Sequence, residues 1–401
     1  MKRGRQILCG VLAAALMIPL AAAAPGSGSK SLSDLQGHWA QKEIETAIAS
    51  GWVDGYPDGT FKPEKTITRA EFTKMLLDAI HLTPDSETVA WMKENARAGE
   101  YLEDSEAYTP QLYDMADHWL TAQGWTDAAL YSGMVVPDDY NGKNFRPEKE
   151  IARYEIALMT DRALGLVNPA NEYAGEALPF ADNADILDWM KGYVNEAVKA
   201  GVLQGYPDNT FRPNKTSTRA EAVVMVQRML DEMEQGLDPD ITVIGQYRKL
   251  TVDSNDLIAT KELEGVQLQV VDSVVYASLR DLDGALRQMM RENGDTASDT
   301  GWMGGLLWFP IQQRLTYWNM GGNEPWENHY WMGKSEYTCN TRHWTFSVPT
   351  RALYGELMIP VCDLNHPNSE PQDQGWESGW DGESNTLTVP LVYQKPWFNV
   401  S

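Results

Sequence analysis

The chain has little positive charge. Its 401 residues include 33 lysines and arginines against 57 aspartates and glutamates, which gives a net charge of −24. Nucleic acid is thereby excluded as a main partner, because phosphate neutralisation needs a basic surface. Small anionic ligands remain compatible with this composition, since they respond to the local field of a few side chains rather than to the net charge.

Long apolar runs are absent beyond the first 24 residues, which read MKRGRQILCGVLAAALMIPLAAAA. Three basic residues, Lys2, Arg3 and Arg5, precede an apolar run over residues 7–20 and a row of small residues. This order is typical of a secretory signal peptide, and the run is too short for a membrane span. Cys9 lies too early in the run for a lipid attachment site. We predict a signal peptide over residues 1–24, with a retained anchor as the alternative, and an exported protein without a membrane span in its mature form.

Cysteine is scarce. Beyond the predicted signal peptide the chain holds Cys339 and Cys362. Outside the cytoplasm such a pair predicts one disulfide, which stabilises by roughly 3 kcal/mol on the chain-entropy model. Each cysteine is followed four positions later by a histidine, His343 or His366, so a tetrahedral zinc site is the alternative. Because export favours oxidation, we predict the disulfide, no metal and no cofactor.

One motif is repeated along the first half of the chain. GYPDGTFKPEKTITRAE at residues 55–71 returns as GYPDNTFRPNKTSTRAE at residues 205–221, and a divergent copy, DDYNGKNFRPEKEIARYE, lies at residues 138–155. The copies share a phenylalanine, a lysine, an arginine and a glutamate in constant spacing, and a tryptophan lies upstream of each. These positions are Phe61, Phe145 and Phe211; Lys65, Lys149 and Lys215; Arg69, Arg153 and Arg219; Glu71, Glu155 and Glu221; and Trp39, Trp119 and Trp189. Such a period predicts a repeat architecture.

Each copy has the pattern of a helix, a turn and a second helix. In HWAQKEIETAIASGWV the apolar residues recur at helical spacing, and Gly51 is placed to end the helix. YPDG is a turn sequence, and TRAE then begins the second helix. Thr68 with Glu71, and Thr218 with Glu221, match the capping box.

The capping box does not explain the repeated arginine. A cation in the first turn of a helix opposes the helix dipole, so helix stability alone gives no reason for it. A helix N-terminus with free N–H groups, an arginine, and a lysine four residues earlier is suited to hold an anion. We therefore favour a binding role for these basic pairs over a solvated face.

The three copies resemble S-layer homology domains, whose hallmark is the GYPDGTF turn followed by TRAE. The resemblance covers residues 31–235, and we divide it into repeats at 31–97 (with a helical insertion), 98–168 and 169–235. It implies an all-α, pseudo-threefold spindle of helix-turn-helix repeats. It also implies grooves that bind a pyruvylated, peptidoglycan-linked secondary wall polymer, with the family's ligand arginine carried over to Arg69 and Arg219. The predicted polymer-binding residues are Arg69, Arg219, Arg153, Lys65, Lys215, Lys149, Trp39 and Trp189.

The middle copy departs from this pattern. It has lost the GYPDG turn, and Ala152 replaces the capping threonine, which removes a cap that contributes about 1 kcal/mol. Arg153 and Lys149 remain. Two alternatives stay open: this groove binds weakly, or it only completes the spindle. The long acidic segment before it is read as an insertion on the outside of the spindle.

Residues 240–401 predict a different, β-rich α+β domain. ITVIGQYRKLTV, VQLQVVDSVVYASL and NTLTVPLVY show the β-branched alternation of strands. VVYASLRDLDGALRQMM and TFSVPTRALYGELM predict strand-to-helix units, and GWDGESNTLTV predicts a hairpin. The region loosely resembles the stalk-like domain named after the copper amine oxidase N-terminus, an accessory domain, and it lacks a copper-ligand histidine triad.

Residues 295–345 are rich in tryptophan and tyrosine. Flat rings could form a carbohydrate platform, but large aromatics also serve as the core of a small β-rich domain, and we favour the core. We find no paired-carboxylate or Ser-His-Asp arrangement in the spacing. The sequence thus predicts an α+β multidomain surface protein that anchors non-covalently to the cell wall without catalysis. The alternative is a wall-anchored carbohydrate-active enzyme or a glycan- or protein-binding module in the C-terminal region.

Overall fold

The computed structural model describes residues 32–98, 106–173, 175–237, 240–250, 255–295, 306–319, 326–339, 342–346, 348–363, 379–381 and 383–394. The predicted signal peptide lies outside these residues. No helix in these ranges is long and apolar enough to cross a membrane.

The helices lie mainly in the first 240 residues. They are α1 Gln41–Ala49, α2 Arg69–Ala79, α3 Glu87–Asn95, α4 Trp119–Ala122, α5 Trp125–Tyr131, α6 Arg153–Ala163, α7 Val167–Asn171, α8 Asp188–Lys199, α9 Arg219–Met233 and α10 Leu279–Glu292. Short 3-10 turns cover Pro137–Asp139, Asn141–Lys143 and Asn183–Asp185. The first two helices of the first copy confirm the predicted helix-turn-helix, and Gly51, with a φ of 83°, follows α1 as expected. In the middle copy the first helix is divided into α4 and α5, because Gly124 takes a φ of 83° between them.

The strands lie after residue 240. They are β1 Thr242–Leu250, β2 Asn255–Glu262, β3 Leu268–Val271, β4 Val274–Ser278, β5 Leu306–Phe309, β6 Arg314–Asn319, β7 Trp326–Trp331, β8 Glu336–Cys339, β9 Arg342–Thr345, β10 Arg351–Leu353, β11 Glu356–Asp363, β12 Gly379–Asp381 and β13 Thr386–Gln394. They form three sheets with the orders β12-β13-β1-β2, β10-β11-β4-β3 and β5-β6-β7-β8-β9. β1 and β13 run parallel, whereas the other pairings are antiparallel. The α+β class is therefore confirmed.

One of the two predicted strand-to-helix units is wrong. β4 does lead directly into α10. The second unit is instead the hairpin of β10 and β11. Tyr354 and Gly355 take φ values of 50° and 81° between these strands, and two successive left-handed residues are the geometry of a tight hairpin turn. The predicted hairpin around residues 379–394 is confirmed by the pairing of β12 with β13.

The repeats are joined to one another by backbone hydrogen bonds between their second halves. Ile67 N–H donates to Ser217, Ser217 to Ile151, and Ile151 to Ile67, over 3.0 to 3.2 Å. The series thus returns to the copy where it began. Each copy supplies one donor and one acceptor, so none of the three is satisfied without the other two.

The helical region also packs on the C-terminal strands. The buried Trp308 donates from its indole nitrogen to the carbonyl of Tyr131 over 2.7 Å, and its own carbonyl accepts from Arg97 N–H. Gln313, equally buried, donates to the carbonyl of Arg162 over 2.7 Å. The acidic segment containing α3 therefore contacts the C-terminal strands rather than projecting free from the repeats. Sequence spacing holds no signal of this contact.

Candidate functional site

Three aspartates hold the turns of the three repeats. Each carboxylate accepts two consecutive backbone N–H groups, over 2.6 to 2.8 Å, from the phenylalanine that recurs in every copy and from the basic residue after it. The aspartates are Asp34, Asp114 and Asp182. The basic residues they hold, Lys62, Arg146 and Arg212, have φ values of 57°, 52° and 56°. These aspartates were not predicted from the sequence, although each lies five to seven positions before the upstream tryptophan.

Each TRAE-type arginine reaches into the next repeat. Arg153 donates from Nε to the carbonyl of Phe211 over 3.0 Å, and Arg219 donates in the same way to Phe61 over 3.1 Å. Arg69 donates to the carbonyl of Phe145 from Nη1 instead. All three arginines are 8% exposed or less. The arginines therefore have a structural reason at the first helical turn, which the helix-dipole argument overlooked.

The helix N-termini are not open to an anion, so that part of the sequence reading is wrong. In α2, Arg69 N–H donates to Lys149 and Ala70 N–H donates to Pro147. The corresponding N–H groups of α6 and α9 also donate to carbonyls of a neighbouring repeat. The capping boxes of Thr68 with Glu71 and of Thr218 with Glu221 are confirmed. In each box the threonine side chain accepts from the backbone N–H of the glutamate. Any anion must therefore bind to side chains.

Two turn tyrosines are each surrounded by three cations. Arg219 lies 4.9 Å from the ring centroid of Tyr56, with Lys62 at 4.2 Å and Lys65 at 5.6 Å. The second cluster matches it closely, because Arg153, Arg212 and Lys215 lie 4.8, 4.3 and 5.5 Å from the ring of Tyr206. We call these the Tyr56 cluster and the Tyr206 cluster. Each combines the arginine of one repeat with the intact turn of the next.

The lysines of these clusters are accessible and charged. Lys65 lies 3.2 Å from both the Tyr56 hydroxyl and Glu71, and Lys215 lies 2.7 Å from Glu221. The hydrogen bond to Tyr56 is the main cause that raises the pKa of Lys65. The side chains of Lys65 and Lys215 are 47% and 35% exposed. A ligand at the surface can therefore contact these lysines directly, whereas the buried arginines are only partly accessible to it.

Among the described residues, Arg153 and Arg219 pair with no carboxylate. Arg153 completes its contacts with the carbonyl of Gln204 over 2.8 Å, and Arg219 with that of Asp54 over 3.1 Å. Their charges are thus solvated by carbonyl dipoles and aromatic faces. Burial lowers the pKa of Arg153. A positive charge that forms no ion pair in the described part of the chain adds a favourable field for an anion at the adjoining lysine.

The third groove is different. Arg69 forms an ion pair with Glu155, and both side chains are 8% exposed or less. Its turn residue Tyr140 is buried and has Arg69 at 5.1 Å from the ring centroid. Beside them lies a pocket of about 250 Å³, whose wall includes Trp189. The loss of the GYPDG turn in the middle copy therefore alters the groove of Arg69. It does not alter the groove of Arg153, because Arg153 contacts the intact turn of the third repeat.

The predicted tryptophans lie at the surface. Trp39 is 61% and Trp189 is 52% exposed. The ring of Trp189 contacts Tyr154 edge-on, with centroids 5.6 Å apart. Lys149 is exposed. Cys339 lies on β8 and Cys362 on β11, in different sheets, and their side chains lie outside the described part of the chain.

The described aromatic residues of the tryptophan-rich region favour packing over display. Trp308 is buried, and Tyr330, Tyr337 and Phe346 stack on one another with interplanar angles of 16° to 27°. Rings stacked in this way cover one another's faces, whereas a carbohydrate platform needs a free face. Trp302 and the side chains of Trp318, Trp326 and Trp344 lie outside the described part of the chain.

Comparison with known proteins identifies two of the three copies. The sequence model of the S-layer homology domain matches residues 31–73 and 179–223. These residues hold the first and third copies, and the divergent middle copy lies outside the matches. Two segments of the chain therefore match the S-layer homology domain. The resemblance of the C-terminal half to the copper amine oxidase stalk-like domain stays a prediction.

Several curated relatives match about half of this chain. They include an exoglucanase XynX of Acetivibrio thermocellus, 32% identical over 51% of this chain and 16% of the relative, and a cellulosome-anchoring protein of the same organism, 30% identical over 45% and 35%. A surface-layer 125 kDa protein of Lysinibacillus sphaericus is 24% identical over 65% of this chain and 20% of the relative. The chain thus spans about a third or less of the length of these relatives.

Proposed function

We propose that this chain attaches an exported protein to the cell surface by non-covalent binding of an anionic, pyruvylated, peptidoglycan-linked wall polymer. The observation that carries the proposal is the pair of matching cation clusters around Tyr56 and Tyr206. Each cluster holds three cations against two paired carboxylates, so the charge of its buried arginine remains in excess on a chain with a net charge of −24. A carboxylate-bearing sugar suits such a site, because ammonium and guanidinium groups donate charge-assisted hydrogen bonds.

The relatives support the same function. Two of them are named as a cellulosome-anchoring protein and as a surface-layer protein. An exposed tryptophan near the start of a repeat supplies an apolar face for a sugar ring beside the charged groups. Trp39 precedes α1, and α1 packs against α9. In the same way, Trp189 lies on α8, and α8 packs against α6. We place Trp39 beside the Tyr206 cluster on this equivalence.

We further propose that the three repeats form a pseudo-threefold spindle with one groove between each pair. The cyclic series of hydrogen bonds among Ile67, Ile151 and Ser217 supports this arrangement. The arginine contacts follow the same cycle, from the first copy to the second, from the second to the third, and from the third to the first. In this proposal residues 240–401 form an accessory domain.

The test is co-sedimentation of the full chain with purified cell walls, before and after chemical removal of pyruvate. We expect binding to native walls and a loss of at least tenfold after pyruvate removal. The double variant Lys65→Gln, Lys215→Gln should lose binding to a similar extent, because both lysines are accessible and each is ion-paired to one glutamate, Glu71 or Glu221. The control is Lys93→Gln, Lys199→Gln, which removes the same charge from exposed lysines elsewhere. Equal wall binding of the two double variants, or wall binding that is unchanged after pyruvate removal, would overturn the proposal.

A further inference from the structure

We infer that the C-terminal half covers the ends of three repeat helices and unfolds together with them, so that a ligand in the cation clusters stabilises both halves. The ligand part of this inference rests on the proposed wall-polymer function. The second helices of the three copies, α2, α6 and α9, each begin with the arginine of a groove. At its other end, α2 is followed by His81, whose ring centroid lies 5.1 Å from that of Tyr354 in the turn between β10 and β11.

Two buried glutamines of the C-terminal half donate hydrogen bonds to the ends of α6 and α9. The last carbonyl groups of a helix lack their regular partner within the helix. Gln313 donates to the carbonyl of Arg162, in the last turn of α6, over 2.7 Å. Gln269 donates to the carbonyls of Met233, the last residue of α9, and of Gln235, each over 2.7 Å. Both glutamines are 1% exposed or less, so these bonds lie inside the protein.

Glycines allow the backbones of the two halves to approach closely. A Cβ on Gly133 would lie 2.4 Å from the carbonyl oxygen of Pro310, and a Cβ on Gly333 would lie 2.4 Å from that of Gly165. In each pair one residue belongs to the middle copy and the other to the C-terminal half. Side chains at these positions would force the halves apart. The interface is therefore packed as closely as the interior of a domain.

The hydrophobic core continues from one half into the other. The cluster of buried residues that holds the repeat helices also includes residues of β4, β10 and β11, namely Val274, Tyr276, Leu353 and Met358. A second cluster, formed mainly by the strands, includes Met92 and Ala96 of the acidic segment. Separation of the halves would therefore expose apolar surface on both of them. Domains joined only by a linker each have a core of their own.

The helices α6 and α9 connect this interface to the cation clusters. α9 begins with Arg219 of the Tyr56 cluster, and α6 begins with Arg153 of the Tyr206 cluster. Helices of 15 and 11 residues are roughly 22 and 16 Å long, so the clusters and the glutamine contacts lie at opposite ends of them. A ligand that binds only the folded protein stabilises every part that unfolds with its site. Ligand at the clusters therefore stabilises the C-terminal strands as well.

The experiment follows the full chain by calorimetry and by hydrogen exchange with mass spectrometry. We expect wild type to unfold in one transition, with the slowest amides of α6 and of β4 equally protected. Gln313→Ala leaves a buried carbonyl without its donor and should lower this protection at least fivefold in both elements. Gln288→Ala, at an exposed position of α10, is the control and should leave the protection unchanged. Two transitions in wild type, or a loss in Gln313→Ala that is confined to the strands, would overturn the inference.

A second measurement adds pyruvylated wall-polymer fragments to wild type. The protection of the β4 amides should rise by the same factor as that of the α9 amides. A rise confined to the repeat helices would show that the halves are not coupled. Failure of the wall-anchoring proposal is distinguishable, since the fragments would then change the protection of neither half while the unfolding of wild type remained a single transition.

Discussion

Arg219 donates a hydrogen bond from Nε to the carbonyl oxygen of Phe61, 158 residues earlier in the chain, over 3.1 Å. The guanidinium also lies 4.6 Å from the centroid of the Phe61 ring. The contact joins the last helix of the repeat region to the first turn. Arg219, which the local sequence motif predicts to bind ligand, thus also holds the first and third repeats together.

Arg219→Ala should lower the free energy of unfolding by about 2–4 kcal/mol, because the carbonyls of Phe61 and Asp54 lose a charged donor and a cavity remains. Urea denaturation of the full chain measures this. Arg212→Ala is the control: its side chain is 45% exposed and pairs with Asp208 at the surface, so its midpoint should stay close to that of wild type. Equal loss in both variants would contradict the structural role of Arg219.

Gly192→Ala should destabilise the protein although alanine favours a helix by about 1 kcal/mol. A Cβ at this position of α8 would lie 1.9 Å from the carbonyl oxygen of Ala170, so α7 and α8 would have to separate. Gly284→Ala in α10 has nothing within 4 Å of the new Cβ and should stabilise by about 0.5–1 kcal/mol. Thermal denaturation of the two variants gives opposite signs if the packing is as described.

Glu356 makes stability depend on pH near neutrality. Burial raises the pKa of its carboxyl to about 7, against the opposing charge of Arg280, to which it is paired between β11 and α10. Since the folded pKa lies above the unfolded value of about 4.5, the stabilising proton is present below pH 4.5 and is lost as pH rises through 7.

Glu356→Gln should therefore gain stability relative to wild type between pH 5 and pH 8, by up to about 3 kcal/mol. Denaturant titrations at several pH values measure the difference. Glu383→Gln, an exposed site in the turn after β12, is the control and should show no such trend. A parallel pH dependence of wild type and Glu356→Gln would rule out this carboxyl as the cause.

Trp39→Ala should weaken binding to native cell walls by at least fivefold without lowering the melting temperature, because a ring that is 61% exposed contributes little to the core. Tyr113→Ala removes an aromatic ring that is 62% exposed from the middle copy and serves as control. Similar wall binding in the two variants would remove Trp39 from the proposed site.

Much of the local structure was predictable from spacing. The helices after TRAE, the capping boxes at Thr68 and Thr218, the end of α1 before Gly51 and the β-rich second half all follow from short-range patterns, and the structure confirms them. The strand-to-helix prediction for residues 345–358 failed because the apolar residues of RALYGELM are compatible with helical spacing as well as with the two strands of a hairpin. Short apolar runs carry this ambiguity generally.

The candidate site was predictable only in part. Residue types in constant spacing identified the arginines and lysines, but spacing cannot say which copy an arginine faces. The structure places Arg153 beside the Tyr206 turn and Arg69 beside Tyr140. The divergence of the middle copy therefore changes the groove of Arg69, the arginine of the first copy. The aspartates that hold the turns were missed because their partners lie 27 to 32 residues away.

The sequence by itself determined the repeat, its helices and caps, and the acidic background on which a few cations stand out, because composition, recurring spacing and short-range contacts all follow from the order of residues along the chain. The tertiary structure decided which cations are buried, which remain accessible, and that Glu155 neutralises Arg69 while Arg153 and Arg219 face carbonyl oxygens. The physical reason is that burial and pairing of a charge are set by chain segments brought together from far apart. Two arginines in the same local motif therefore acquire different electrostatic surroundings.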